Sequence, residues 1–197
     1  DISNTYPTSP GDGHGHGSHC AGIAAGQGNP SDPWGPNAHM GAAPKVSIGG
    51  IKIFDDNGYF VDSNFQFADY EQNDRATYHF IVASNSWGGG DDATLNEIMN
   101  NLVSSGIVEV VAAGNSGANA NIGSPGSADL VITVGAINDR NRMAEYSTTG
   151  DTTTGNTIKP DVTANGGSSW YVGDTFCHDD EDGNGYTGQV GSEDSND

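Results

Sequence analysis

Apolar residues fall along this chain in short runs separated by long polar stretches, and the runs follow two different periods. Lys45 to Phe54 (KVSIGGIKIF), Tyr78 to Ser84 (YHFIVAS), Ile107 to Ala113 (IVEVVAA) and Leu130 to Ala136 (LVITVGA) are apolar and rich in β-branched residues. That is the pattern of buried strands. Leu95, Ile98, Met99, Leu102 and Val103 recur at helical spacing, and Gly106 is placed to end that helix. Residues 60–73 predict another helix with Phe65, Phe67 and Ala68 inward, and the small residues of His16 to Gly26 predict a third. Asp55-Asp56-Asn57-Gly58 is a turn signal, and residues 1–13 and 27–44 read as loops. Beyond Pro160 the periodicity fades, and residues 166–197 predict no regular element. Strands alternating with helices predict an α/β fold, a three-layer sandwich with a mostly parallel central sheet flanked by helices. Ligands of such sheets sit at the C-terminal ends of the strands, so the chemistry is expected just after Phe54, Ser84 and Ala113.

Composition narrows the function. The chain has 197 residues with 34% hydrophobic content and 30 glycines, which fits one loop-rich domain. Against 6 basic residues stand 26 acidic ones, a formal charge of −20. Such a surface repels phosphates and anionic lipid, so neither nucleic acid nor membrane is an expected partner. The acidity itself has three compatible readings: a solvated surface of a secreted protein, adaptation to high salt, or calcium binding by Asp clusters. No run of apolar residues spans a membrane and no signal peptide is visible, so a chain starting at Asp1 reads as processed or as a fragment. Two cysteines, Cys20 and Cys177, are too few for a disulfide framework, and their pairing stays open; Cys20 sits in an apolar stretch that suits a small buried side chain.

Two motifs carry chemistry. His16-Gly17-Ser18-His19-Cys20-Ala21-Gly22 sets a histidine beside glycines that permit close approach of substrate. Val111-Ala112-Ala113-Gly114-Asn115-Ser116-Gly117 ends a predicted strand on an exposed asparagine turn. The first resembles the H-G-[TS]-H-x-A-G motif of the subtilisin-like serine proteases, and the second their A-A-G-N-x-G segment. Other stretches follow the family in order: Gly41-Ala42-Ala43-Pro44 with Ile51-Lys52-Ile53-Phe54, Ser84-Asn85-Ser86-Trp87-Gly88-Gly89, and Ile122-Gly123-Ser124-Pro125-Gly126 through Ala136. Tyr146-Ser147 and Lys159-Pro160-Asp161-Val162-Thr163-Ala164 complete the series, so the resemblance covers about residues 12–166. The Ser-Asn-Ser-Trp-Gly and Ser-Pro-Gly variants are similar to the alkaline, oxidatively stable branch.

The resemblance implies a secreted, monomeric endopeptidase acting on protein or peptide substrates without a catalytic cofactor. It makes His16 the catalytic base and Asn115 the donor to the oxyanion, a contribution of about 3 kcal/mol in such enzymes. Substrate would lie against residues 56–60 and 84–88, with Gly58, Ser84, Ser86, Trp87, Gly88, Ala112, Ala113 and Gly114 as the binding positions. Trp87 is expected at the pocket rim and His19 under the start of the helix. The triad also needs an Asp in D-[TS]-G and a Ser in G-T-S-M-A. Asp1-Ile2-Ser3 does not match the first; Ser168, Ser169 and Ser192 lack the context of the second; and Ala164-Asn165-Gly166 departs from Ala-Pro-Gly. The expectation is therefore a fold incomplete at both ends and a chain inactive by itself.

Rival readings remain for several residues. His14, His16 and His19 with Asp12 suggest a zinc cluster, and Gly-Asn-Ser-Gly alone suggests a plain turn. Asp180, Asp182 and Asn184, with Gly185 after them, match the first half of a calcium loop, but Gly191 stands where a bidentate Glu is needed. A solvated acidic loop competes with structural calcium there. For the whole chain, a peptide-binding pseudoprotease or a calcium-dependent structural segment over residues 174–197 are the alternatives.

Overall fold

A computed structural model describes residues 11–31, 33, 35, 39–138, 140–152 and 157–167. The chain divides into two compact units, which among these residues run up to Phe67 and from Ala68 onward.

The first unit is built around α1 (His16–Ala25), in the predicted place. The loop that follows returns to the helix end, where Gly41, Ala42 and Ala43 donate N–H groups to the carbonyls of Gly26, Ile23 and Ala24 at 2.8–2.9 Å. That contact satisfies carbonyls a helix terminus leaves open. One expectation fails here. Lys45 to Ile53 enters no ladder among the described residues, and Val46 and Ile48 are 51% and 61% exposed. A β-branched run forms a strand only where a neighbour supplies the ladder. Pairing begins at Ile53, whose carbonyl takes the Val61 N–H at 2.9 Å around the predicted Asp55–Gly58 turn.

In the second unit, α2 (Gln66–Tyr78, begun at the unit boundary) leads into β1 (Val82–Asn85), then α3 (Ala93–Ser105), β2 (Val108–Ala112) and β3 (Ile132–Ile137). A short antiparallel pair, β4 (Gly150–Asp151) with β5 (Ile158–Lys159), precedes β6 (Val162–Asn165). The main sheet is parallel throughout, in the order β1-β2-β3-β6. The run predicted as one strand from Tyr78 divides, because His79 turns left-handed (φ 58) and donates its N–H to Arg75 to close α2. α3 forms where its period predicts. Asp92 caps its first turn by accepting from the Leu95 N–H at 3.0 Å, and Gly106 ends it at φ 97.

The register assigns each strand residue to a face. Asn85, Glu109, Val111, Thr133 and Gly135 share one face, and all are buried. Met99 and Leu102 of α3, with Ile107, Ile122 and Val131, fill the core against it. Each such apolar side chain contributes about 1.5–3 kcal/mol by leaving water. The opposite face carries Val82, Val108, Ile132 and Val162, which are 58%, 39%, 39% and 50% exposed. The fold is thus α/β of the three-layer sandwich type, with coverage of the sheet partial among the described residues.

A buried cation ties β5 to β3. Lys159, 2% exposed, donates to the Val131 carbonyl at 2.7 Å and to Asp161 Oδ2 at 2.7 Å, and that oxygen also accepts the Thr133 N–H. Removing the ammonium would leave a carbonyl and a half-exposed carboxylate short of their donor. Lys159→Ala is expected to cost about 3 kcal/mol of unfolding free energy, read from urea denaturation.

Candidate active site

His16 is the first residue of α1, and the turn before it explains why it is held there. Asp12 accepts the Gly15 N–H at 2.9 Å and the Ser18 N–H at 2.6 Å, so one carboxylate satisfies two donors around the helix start. Negative charge is also favoured there by the helix dipole. Partial burial pushes the Asp12 carboxyl up, but the Ser18 and Gly15 donors and the Lys52 charge outweigh it and hold the group below its usual value. Lys52 bonds the Gly11 carbonyl at 2.8 Å and pairs with Asp56, and Asp56 accepts the Gly13 N–H at 3.3 Å. The turn holding Gly58 is thereby fastened to the segment leading into His16. A methyl group built on Gly58 would lie 3.4 Å from His14 Nε2. The His14 and His16 rings meet edge to face at 6.3 Å, and Cys20 Sγ lies 3.6 Å from His16 Nε2. His19 is buried. Among the described residues no group of three or more metal-binding side chains comes together.

The second unit assembles the other predicted positions. β1 and β2 run parallel with Asn85 opposite Val111, so both end at one edge of the sheet. Ser86, Trp87 and Gly88 follow the end of β1, and Ala113, Gly114 and Asn115 follow Ala112 at the end of β2. Ser84, Ser86, Gly88, Ala112, Gly114 and Asn115 are exposed, Trp87 is half-buried and Ala113 is buried. Two clamps fix these turns. Gly89 N–H donates to the Ser124 carbonyl at 2.8 Å, and Ser124 N–H donates back to Gly90 at 3.2 Å. Thr148 N–H donates to the Gly114 carbonyl at 2.9 Å while its hydroxyl accepts the Ser116 N–H at 2.9 Å. Gly114 sits at φ 100 with Thr148 Oγ1 3.1 Å from where a β-carbon would be, so a side chain there would be strained and crowded. Asn115 stands at the tip of this pinned turn, where an amide N–H can meet a developing negative charge.

Beneath Trp87 lies a polar chain that sequence reasoning missed. Trp87 Nε1 donates to Asn85 Oδ1 at 3.0 Å, and Asn85 Nδ2 donates to Glu109 Oε2 at 2.8 Å. Glu109 in turn shares a side-chain hydrogen bond with Glu71 of α2. Glu71 and Glu109 are 8% and 1% exposed. Burial, and then the facing Glu109 carboxyl, pushes Glu71 up to about 9, and burial pushes Glu109 up as well. Glu71 Oε2 and Glu109 Oε1 are both buried without another donor, and a proton shared between the two carboxyls would serve them. Asp12 was legible in principle, as an Asp just ahead of a helix start. Glu109 was signalled only by a lone charge inside an apolar strand. Asp180, Asp182, Asn184 and Cys177 lie outside the described residues.

Comparison with known proteins identifies the family. A model of the subtilase family matches residues 2–194. The alkaline serine protease ver112 of Corniculantispora psalliotae is 39% identical over 150 residues, covering 74% of this chain and 36% of that protein. Proteinase R of Parengyodontium album is 34% identical over 153 residues, covering 76% of this chain and 37% of that protein. The chain therefore spans well under half the length of these relatives. Among solved structures, sphericase superposes with a TM-score of 0.69 at 25% identity, over 85% of this chain and 60% of its own.

Two stability experiments test the electrostatics. Asp12→Ala should lower the unfolding free energy by about 1 kcal/mol at neutral pH. Because the folded Asp12 titrates below 3.8, its contribution is complete above that pH and fades as pH falls through the lower folded value, so the two proteins should converge in acid. Glu71 has the opposite sign. Unfolded chain releases this proton near 4.5 and folded chain keeps it to about 9, so stability falls as pH rises across that window. The Tm advantage of Glu71→Gln over the parent should grow from pH 4.5 to about 9 and then level off.

Proposed function

We propose, since this chain belongs to the subtilase family, that it is part of a secreted serine endopeptidase in which His16 is the general base and Asn115 the oxyanion donor. The observation behind this reading is the parallel register of β1 and β2, in which Asn85 pairs with Val111 just ahead of the Ser86–Gly88 and Ala113–Asn115 segments. A peptide laid along Ser84 to Gly88 as an added strand would present its carbonyl toward the Asn115 turn. His16, seated by Asp12 and the Lys52–Asp56 clasp, would take the proton of an attacking serine and return it to the leaving amine. The reading further requires an attacking serine and an orienting aspartate, for which the sequence carries no matching motif. Chemistry of this kind needs no cofactor, and any calcium would be structural. The half-buried Trp87, exposed on one side, fits a rim for a large apolar residue before the cut.

The test uses the product of the same reading frame with its flanking segments. His16→Ala should abolish hydrolysis of a peptide substrate. Asn115→Ala should lower kcat about a hundred- to a thousand-fold with little change in KM, because the interaction is made only in the transition state. A protein that binds peptide but hydrolyses none, with either residue in place, would instead be a peptide-binding pseudoprotease.

A further inference from the structure

The Glu71–Glu109 pair is not part of the reaction described above, yet it is wired to the substrate wall. It is joined to the turn from which Trp87 departs through the Asn85 carboxamide. A carboxamide has one donor end and one acceptor end. With Nδ2 committed to Glu109 at 2.8 Å, Oδ1 is left facing Trp87 Nε1 at 3.0 Å. The orientation of Asn85, and through it the indole plane, is set by an acceptor on Glu109.

We propose that Glu71 and Glu109 are positioning residues for the Trp87 wall: one proton shared between their carboxyls keeps Glu109 on Asn85 and Asn85 on the indole, and loss of that proton releases the indole. The role given to the wall rests on the protease reading; the coupling to Trp87 does not.

The surroundings favour this device. Glu109 belongs to β2, whose backbone is held by ladders on both sides, so the strand cannot retreat. On β1 its register partner is Ala83, with the neutral Asn85 bonded to its carboxyl, and on β3 the neutral Thr133 shares its face. The buried positions of α3 are Leu95, Asn96, Met99 and Leu102, all uncharged. On α2, one turn beyond Glu71, the Arg75 guanidinium is engaged with the Ser105 carbonyl at the end of α3. The charge acting on Glu71 is that of the Glu109 carboxyl, while Glu109 is raised by burial against the hydrogen bonds it shares with Glu71 and Asn85. Two anions at hydrogen-bond range in a water-poor site repel strongly. Once the proton leaves, the pair separates, and the Glu109 side chain, not β2, is free to move. Asn85 then loses the acceptor that fixed it.

The experiment reads Trp87 directly. The chain has three tryptophans, so Trp34→Phe and Trp170→Phe leave Trp87 as the sole indole. Its fluorescence is titrated from neutral to strongly alkaline pH, with far-UV circular dichroism confirming that the fold persists. The expected result is an emission change with a midpoint near 9. In the Glu71→Gln variant, where a neutral amide replaces the protonated acid, that transition should vanish and emission should hold its neutral-pH value. Should this variant not fold, Glu109→Gln takes the same test. No emission change in the parent, or the same midpoint in the Gln variant, overturns the proposal. So does a midpoint that shifts with added calcium or magnesium, which would put a cation rather than a proton between the carboxyls. In the full protein, KM for a substrate with a large apolar residue should rise above the same midpoint while kcat holds. Absence of hydrolysis would count against the protease reading alone, since the emission titration needs no catalysis.

Discussion

Hydrogen bonding along both sides of β2 is the constraint on which the second unit depends. β1 matches it residue for residue from Val82 to Asn85, and β3 matches it from Val110 to Ala112. With that register set, every side chain on the strand is assigned to a face, and the strand ends are level. The two turns of the candidate site follow directly from the paired ends of β1 and β2. The clamps at Ser124 and Thr148 then hold turns that the ladder has already placed. Displacing the register by one residue would send Glu109 to the exposed face and Val108 inward. It would also separate the Asn115 turn from the Trp87 turn, so folding and site assembly are one event here.

Buried polar groups are numerous in this unit, and several find well-defined partners. Lys159 finds a carbonyl and a carboxylate, Asn96 finds Ser127 at 2.9 Å, and Thr133 finds the Gly126 carbonyl. The two glutamates satisfy each other by giving up a charge. This is the cheaper solution in a low-dielectric interior, where an isolated anion is costly. The same economy explains why a chain of formal charge −20 can bury carboxyls at all. What lies under the sheet is a hydrogen-bonded chain in which two carboxyls carry one charge between them.

Much of the fold was legible because period and burial agree. Leu95, Met99 and Leu102 repeat at helical spacing and are buried, and Ile107 to Ala113 and Leu130 to Ala136 are the central strands. Three readings went astray for physical reasons. Lys45 to Ile53 has the residues of a strand but no neighbour to pair with among those described. β6 was missed because Val162-Thr163-Ala164-Asn165 is exposed throughout and carries no apolar run. The helix ending at Tyr78 overran into the predicted strand because a left-handed histidine, invisible to hydropathy, closes it. Within the candidate site the expected roles of His16 and Asn115 were legible from motif order. Their support was not, since Asp12 acts through backbone N–H groups and Glu71 acts through a partner 38 positions away.

The backbone-to-backbone seam between the Trp87 loop and the Ser124 segment also sets where this surface can be diversified. A side chain at Gly123 would collide with the Gly89 carbonyl oxygen, and one at Gly88 would come within 3.2 Å of the Ser124 carbonyl. Gly89 and Gly90 themselves face open space. A library aimed at altered selectivity should therefore leave 88 and 123 untouched and randomise 87, 89 and 90. Evolution working on the same surface meets the same partition: half of the loop is free to drift, and half is locked by the contact that holds it.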